Sequence, residues 1–286
     1  MTTCRIISTS NGLSDKALAS ATTLIEILTG AGYTVSSAET LADRGDGVSA
    51  PAQVRAEELM NSLETAEWTL DVSGGNRATD VLSYLDEERL RAASGSFVGY
   101  SDVTTIHSAL THTTTAPGLL FSPLALVESE ARRAEFFRYV DESALDIATF
   151  DVTHISGPKA EVTGELVGGN LRSLLKLAGT PYFPAVEDKI LVLEGRSSDP
   201  NVLIPQLDQL FHMGVFKKIK GLVCGQFTSF EQGHPVVELY NHVISRVPAS
   251  LGVWRTDEIG HFADAKAGAI GARYHLDSSV AKPVQP

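Results

Sequence analysis

Apolar positions in the first hundred residues alternate between short runs and a 3.6-residue period. Arg5-Ile6-Ile7-Ser8 reads as a strand and Thr9-Ser10-Asn11-Gly12 behind it as a turn. Ser14 is positioned to cap a helix whose apolar residues Leu18, Ala21, Leu24, Ile25 and Leu28 share one face, up to Gly30 and Gly32. Tyr33-Thr34-Val35-Ser36 forms a second strand, and Ser49 and Pro51 open a helix with Val54, Leu59, Met60 and Leu63 on its inner face. Trp68-Thr69-Leu70-Asp71-Val72 is a third strand, running into Ser73-Gly74-Gly75-Asn76, and a helix carrying Val81, Leu82 and Leu85 follows. The strand Phe97-Val98-Gly99 then leads into a helix from about Asp102 to His112. This βαβα alternation predicts an α/β domain with a parallel sheet covered on both faces, its strand C-termini along one edge.

After Pro123 the pattern loosens. The mixed charges of Glu128, Glu130, Arg132, Arg133, Glu135 and Arg138 predict a solvated helix or lid over Glu128 to Tyr139. From about Ile155 the chain changes character, with Gly157, Gly164, Gly168 and Gly169 close together. A helix with Leu171, Leu174, Leu175 and Leu177 precedes the strand Lys189-Ile190-Leu191-Val192-Leu193. The helix Val202 to Met213, the strand Gly221-Leu222-Val223-Cys224 and the helix Val236 to Ile244 come next. Two more strands are expected near Leu251 to Trp254 and Ala272 to Leu276. A boundary between about 140 and 160 divides the chain into an N-terminal unit, 1–150, and a C-terminal unit, 151–286.

The bulk numbers narrow the function. A chain of 286 residues with 43% hydrophobic and 20% charged residues is an ordinary globular protein, able to bury a core without disulfides or metal. The net charge of -12, with no dense basic block beyond Lys217-Lys218-Ile219-Lys220, argues against a nucleic-acid partner. No apolar run approaches the roughly 20 residues of a membrane span. The start, Met1-Thr2-Thr3-Cys4-Arg5, lacks the basic and apolar regions of a signal peptide, so a cytoplasmic location is expected. Cys4 and Cys224 sit in separate apolar runs and read as inert core thiols.

Phe97-Val98-Gly99-Tyr100-Ser101-Asp102-Val103-Thr104-Thr105 is the strongest candidate for chemistry. A strand ends in a Gly-x-Ser-x turn and a helix starts at once, the layout of a nucleophile elbow that lifts a hydroxyl above the sheet edge. The free N–H groups of that helix start face any oxyanion forming there. Val103 occupies the place of the second glycine of the α/β-hydrolase pentapeptide, and Ser101 as a plain helix cap fits the same letters. Gly74-Gly75 lets the backbone approach a ligand closely, or is an ordinary strand-to-helix turn. Of eight histidines, His107 and His112 lie on the helix after Ser101 and point away from the turn, whereas His261 follows Glu258-Ile259-Gly260 in a loop after a strand. Glu194 directly follows the apolar run Ile190 to Leu193, where a carboxylate marks either a site or an exit to solvent. Metal-ligand spacings (His-x-x-x-His, Cys-x-x-Cys, clustered Asp) and the Gly-x-Gly-x-x-Gly of dinucleotide sites are absent, so no cofactor and no metal is expected.

Taken together, Gly74-Gly75-Asn76, Phe97 to Thr104, Leu166-Val167-Gly168-Gly169-Asn170-Leu171, Ile190 to Glu194, Gly221 to Gly225 and Gly260-His261 resemble the LD-carboxypeptidase family, which includes the microcin C self-immunity peptidases. The resemblance runs in family order from about residue 70 to residue 277. It implies a Ser–Glu–His triad of Ser101, Glu194 and His261, and an oxyanion hole of the Gly75 and Asp102 N–H groups. Asn76 and Asn170 would be substrate contacts. It also implies a flavodoxin-like N-terminal domain, similar to class I glutamine amidotransferases, and a smaller β-rich C-terminal domain. The site would lie between them, in a homodimer that needs no cofactor. The implied substrate is a murein tetrapeptide losing its terminal D-Ala, or a peptidyl- or aminoacyl-nucleotide of the microcin C type.

Two features depart from the family pattern. The usual proline after the histidine is missing from Gly260-His261-Phe262-Ala263-Asp264, and the segment after Phe121-Ser122-Pro123 has no tryptophan to stack on a base. The Asp264 departure motivates a second class of reading, a catalytically silent ligand-binding relative. A glutamine amidotransferase would need cysteine where Ser101 stands.

Overall fold

The computed structural model describes residues 2–114, 116–142, 145–158, 161–196 and 199–284. Its strands are, in chain order, β1 (Thr3–Ile7), β2 (Thr34–Ser37), β3 (Trp68–Asp71), β4 (Ser96–Gly99), β5 (Gly118–Leu120), β6 (Phe150–Asp151), β7 (Thr153–Ser156) and β8 (Val162–Asn170). They continue as β9 (Ile190–Gly195), β10 (Gly221–Phe227), β11 (Gly252–Arg255), β12 (Gly268–Ile270), β13 (Arg273–Leu276) and β14 (Val280–Pro283). These strands build two sheets in a mixed α/β fold.

The first sheet has the order β12-β5-β4-β3-β1-β2. Its β1 to β5 pairings are parallel, as the βα alternation predicts, while β12 adds antiparallel to β5. The second sheet, β6-β14-β13-β8-β9-β10-β11-β7, has eight strands. It is not simply β-rich: β8 to β11 form a parallel core, and β9 is buried along its whole length. Helices Leu171–Leu175, Pro200–His212 and Val236–Ile244 are interleaved with those strands, because strands apolar on both faces need cover on both. Leu70, Val98, Leu120, Leu166, Ile190 and Val192 belong to one buried cluster that joins the two sheets.

Several local readings are corrected by packing. Val54, expected inside, is 42% exposed, and its neighbour Arg55 is 1% exposed. The Arg55 guanidinium donates to the carbonyls of Thr9, Ser10, Ala50 and Arg77 and to Asp80, a set of partners that offsets the cost of burying a charge. Ser49 does not cap the second helix; its hydroxyl bonds the Ser8 carbonyl, and Pro51 precedes Ala52–Thr65 without a side-chain cap. The segment with Val81 and Leu82 is a 3-10 helix, Ala78–Tyr84, which ends before Leu85. The helix Glu130–Glu142 is not merely solvated. Phe136 and Tyr139, one turn apart, pack edge-on against Trp68 and fix one face to the first sheet. Cys4 and Cys224 are free and buried, and desolvation pushes each thiol up to about 12, as expected of inert core thiols.

His107 does not simply point away from the elbow: it lies fully buried beneath it, with Nε2 3.0 Å from the Gly99 carbonyl oxygen. Burial pushes its pKa down to about 4 against the pull of the Gly99 and Leu119 carbonyls. The unfolded chain therefore takes up this proton near pH 6.5 while the folded chain stays neutral, and stability declines as pH falls between those values. The loss amounts to about 3 kcal/mol from this group. Urea denaturation at pH 7 and pH 4.5 checks it: His107→Gln reduces the pH dependence, and an identical slope in variant and wild type contradicts it.

Candidate active site

Strand β4 delivers Gly99 to the sheet edge, and Tyr100 is still extended there. Ser101 then turns to φ +61°, in the left-handed region where an L side chain is strained by about 1–2 kcal/mol. A 3-10 turn, Ser101–Val103, and the helix Thr104–Leu110 follow immediately. The strained turn holds the hydroxyl clear of the backbone. Residues at the ends of neighbouring β1 and β3 reach the same place, at the point where strand order reverses between them.

The Ser101 Oγ is 3.1 Å from His261 Nε2, across 160 residues of sequence. On the other side of the imidazole, Nδ1 is 2.8 Å from Glu194 Oε2. The two atoms are at ion-pair distance but off the direction of a hydrogen bond, and neither has a hydrogen-bond partner among the described residues. Glu194 is 0% exposed at the end of β9, and its Oε1 accepts from Asn170 Nδ2 at 3.1 Å. A buried carboxylate against Nδ1 favours the tautomer that carries its proton there, leaving the Nε2 lone pair toward Ser101.

Gly74 and Gly75 bring the backbone against this hydroxyl. A Cβ built on Gly74 would lie 3.9 and 4.0 Å from the Cβ and Oγ of Ser101. Gly75 has φ +118°, and a Cβ there would meet Asn11 Oδ1 at 2.1 Å, so no other residue fits. Asn11 fixes the loop by donating its N–H to the Gly74 carbonyl, at 3.1 Å, and accepting the Asn76 N–H on Oδ1, at 2.7 Å. Asn76 lines the cavity, its carbonyl taking the Lys176 ammonium at 3.0 Å. Asn170 also lines it; its Oδ1 accepts from the Ser173 N–H at 3.2 Å, and one N–H of its Nδ2 donates to Glu194.

Two cavities flank the hydroxyl–imidazole pair. One, of about 630 Å³, contains Ser101 and the Gly74–Asn76 loop; the other, of about 470 Å³, is lined by Tyr100, Phe121, Thr228, Phe262 and Lys266 among others. His261 and Arg196 border both.

Comparison with known proteins gives a consistent result. Residues 4–120 match the LD-carboxypeptidase N-terminal domain model, and residues 163–276 match the LD-carboxypeptidase C-terminal domain model. The chain belongs to the LD-carboxypeptidase family. It is thus a serine peptidase. The murein tetrapeptide carboxypeptidase of Pseudomonas aeruginosa is 29% identical over 242 residues, covering 79% of this chain and 78% of that protein. Among solved structures, muramoyltetrapeptide carboxypeptidase from Oxalobacter formigenes superimposes with a TM-score of 0.81 at 24% identity, over 100% of both chains. The microcin C7 self immunity protein MccF in complex with aspartyl sulfamoyl adenosine gives a TM-score of 0.82 at 16% identity, over 99% of this chain and 96% of that one.

The site is held by side-chain contacts of Asp102 and Tyr100 that the sequence pattern did not predict. The Asp102 carboxylate, 0% exposed, accepts from Ser10 Oγ at 2.6 Å, Ala78 N–H at 2.9 Å and Ser173 Oγ at 3.1 Å, and it pairs with Lys176. One carboxylate thereby ties the elbow to the loops after β1 and β3 and to the helix that follows β8. The Tyr100 ring packs 4.9 Å from the His261 ring. Burial first, and then the adjacent Glu194 charge, drives its hydroxyl well above the usual tyrosine pKa. For Tyr100, and for the carboxylate of Asp102 as distinct from its N–H, position next to Ser101 is the one signal in the sequence. Asp264, the departure from the family pattern, accepts from Ser129 Oγ at 2.5 Å and anchors the start of the helix Glu130–Glu142.

Proposed function

We propose that this member of the LD-carboxypeptidase family hydrolyses the amide before the terminal D-Ala of a murein tetrapeptide, with Ser101 as nucleophile, His261 as base and Glu194 as its orienting carboxylate. The observation that carries the reading is the chain of contacts Ser101 Oγ to His261 Nε2, 3.1 Å, and His261 Nδ1 to Glu194 Oε2, 2.8 Å. Kinship with the murein tetrapeptide carboxypeptidase of Pseudomonas aeruginosa supports the substrate. The strand order β2-β1-β3-β4-β5 supports a flavodoxin-like N-terminal domain, with its site at the reversal of strand order.

Ser101 Oγ attacks the amide carbonyl carbon while neutral His261 takes the hydroxyl proton on Nε2. The oxyanion is held by the N–H groups of Gly75 and Asp102, which flank Ser101, one on the loop brought against the hydroxyl and one at the start of the following helix. The imidazolium, stabilised by buried Glu194, passes the proton to the leaving amine, and free D-Ala departs from the acyl-enzyme. Water, deprotonated by the same imidazole, then releases the tripeptide acid. Asn170 acts on this chemistry by fixing Glu194.

Mass spectrometry of products from a muramoyl tetrapeptide and an aminoacyl-sulfamoyl adenosine tests the substrate. Loss of D-Ala from the first alone is the expected result. Cleavage of the second alone overturns the murein assignment in favour of a nucleotide conjugate, the kind of molecule that MccF holds.

A further inference from the structure

The cavity of about 630 Å³ beside Ser101 has a charge at odds with the rest of the chain. In a protein of net charge -12, its charged lining side chains among the described residues are Arg172 and Arg196, with no Asp or Glu among them. Both arginines are exposed, and neither pairs with a carboxylate among the described residues. Arg172 donates Nη2 to the Gly75 carbonyl at 2.7 Å, which steers its guanidinium toward the loop facing Ser101, and its other N–H donors have no partner among the described residues. Arg196 leaves the end of β9 two residues after Glu194, at the border of both cavities.

A guanidinium matches the two oxygens of a carboxylate with parallel N–H donors, and it does so better as water is excluded around it. We propose that this end of the cleft is an anion subsite in which Arg172 and Arg196 hold a carboxylate of the peptide beside the scissile amide. The inference rests on the hydrolase reading above and adds which groups select the substrate. Two carboxylates share the chemistry: the C-terminal one of the departing residue, and a side-chain carboxylate on the residue before it.

The test measures kcat/KM for the full chain and for Arg196→Gln, Arg172→Gln and the double variant. The substrates are a tetrapeptide with both carboxylates, its C-terminal amide, and a counterpart with lysine in place of the acidic third residue. Arg196→Gln, which breaks no hydrogen bond among the described residues, is expected to lower kcat/KM on the full substrate roughly 10- to 100-fold, mainly through KM. The same variant leaves kcat/KM nearly unchanged on the analogue that already lacks the bound carboxylate, and that analogue identifies the source. Equal losses on all three substrates, or no loss on any, overturn the subsite.

A labelling experiment separates its failure from that of the hydrolase reading. A fluorophosphonate with a terminal carboxylate is expected to react at Ser101 faster than its methyl ester, and the double variant to lose that preference. Labelling without preference in the wild type overturns the subsite alone. Absence of labelling by either probe overturns the hydrolase reading, and the subsite with it.

Discussion

Ser101→Ala lowers kcat for tetrapeptide hydrolysis by on the order of 10⁶, and His261→Ala by a similar factor, with little further loss when the two are combined. The reason is that neither group acts alone. Without the imidazole 3.1 Å away the hydroxyl keeps its proton, and without the hydroxyl the imidazole has nothing to deprotonate. The fold is expected to survive the serine change. Alanine keeps the Cβ, so the φ of +61° is no more strained than before, and among the described residues the lost hydroxyl bonds only His261, at the rim of a cavity. Thermal unfolding and near-ultraviolet circular dichroism check the fold, and product release checks the rate. An alanine variant that turns over tetrapeptide at the wild-type rate removes the nucleophile from the mechanism, and a loss of fold instead makes its inactivity uninformative.

Glu194→Gln costs about 10⁴ in kcat, less than the loss of the nucleophile, with the binding of substrate little changed. Glutamine fills the same space and still offers an oxygen to Asn170 Nδ2, so packing at this buried position is kept. Its amide N–H₂, however, faces His261 Nδ1 and donates to it. The ring then carries its proton on Nε2, toward Ser101, and is no longer a base there. The imidazolium also loses the negative charge 2.8 Å from Nδ1 that stabilises it. Glu194→Ala is expected to combine the loss of rate with a loss of stability of about 1–3 kcal/mol, because the Asn170 amide is left buried without its acceptor. A Glu194→Gln enzyme within tenfold of the wild-type kcat contradicts the orienting role.

Both predictions join residues far apart in the chain, whose local sequence signals differ in strength. The elbow is local: an apolar run, Phe97-Val98, stops at Gly99, and Ser101 precedes a helical stretch, so the strand, turn and helix all lie within nine letters. His261 and Glu194 carried no comparable local signal. Each was one histidine or one carboxylate among several, and only the family resemblance joined them to Ser101. The structure brings all three side chains together, along with Asn170, which it turns inward to Glu194 and Ser173.

The amino-acid sequence by itself determined the strand and helix alternation of the N-terminal half, the turn at Ser101, the glycine at position 75 and the burial of both cysteines. These follow from backbone freedom and from apolar spacing within a few residues, which need no knowledge of what lies across the fold. The tertiary structure alone decided that β12 returns to the first sheet, that Arg55 is buried in place of Val54, that Phe136 and Tyr139 seat an otherwise charged helix on Trp68, and that Asp102 joins two loops and a helix to the elbow through its carboxylate. In each case the deciding partner is a hydrogen-bond acceptor, donor or ring from a distant segment. Its position is set by the register of strands that pair only after the chain has folded.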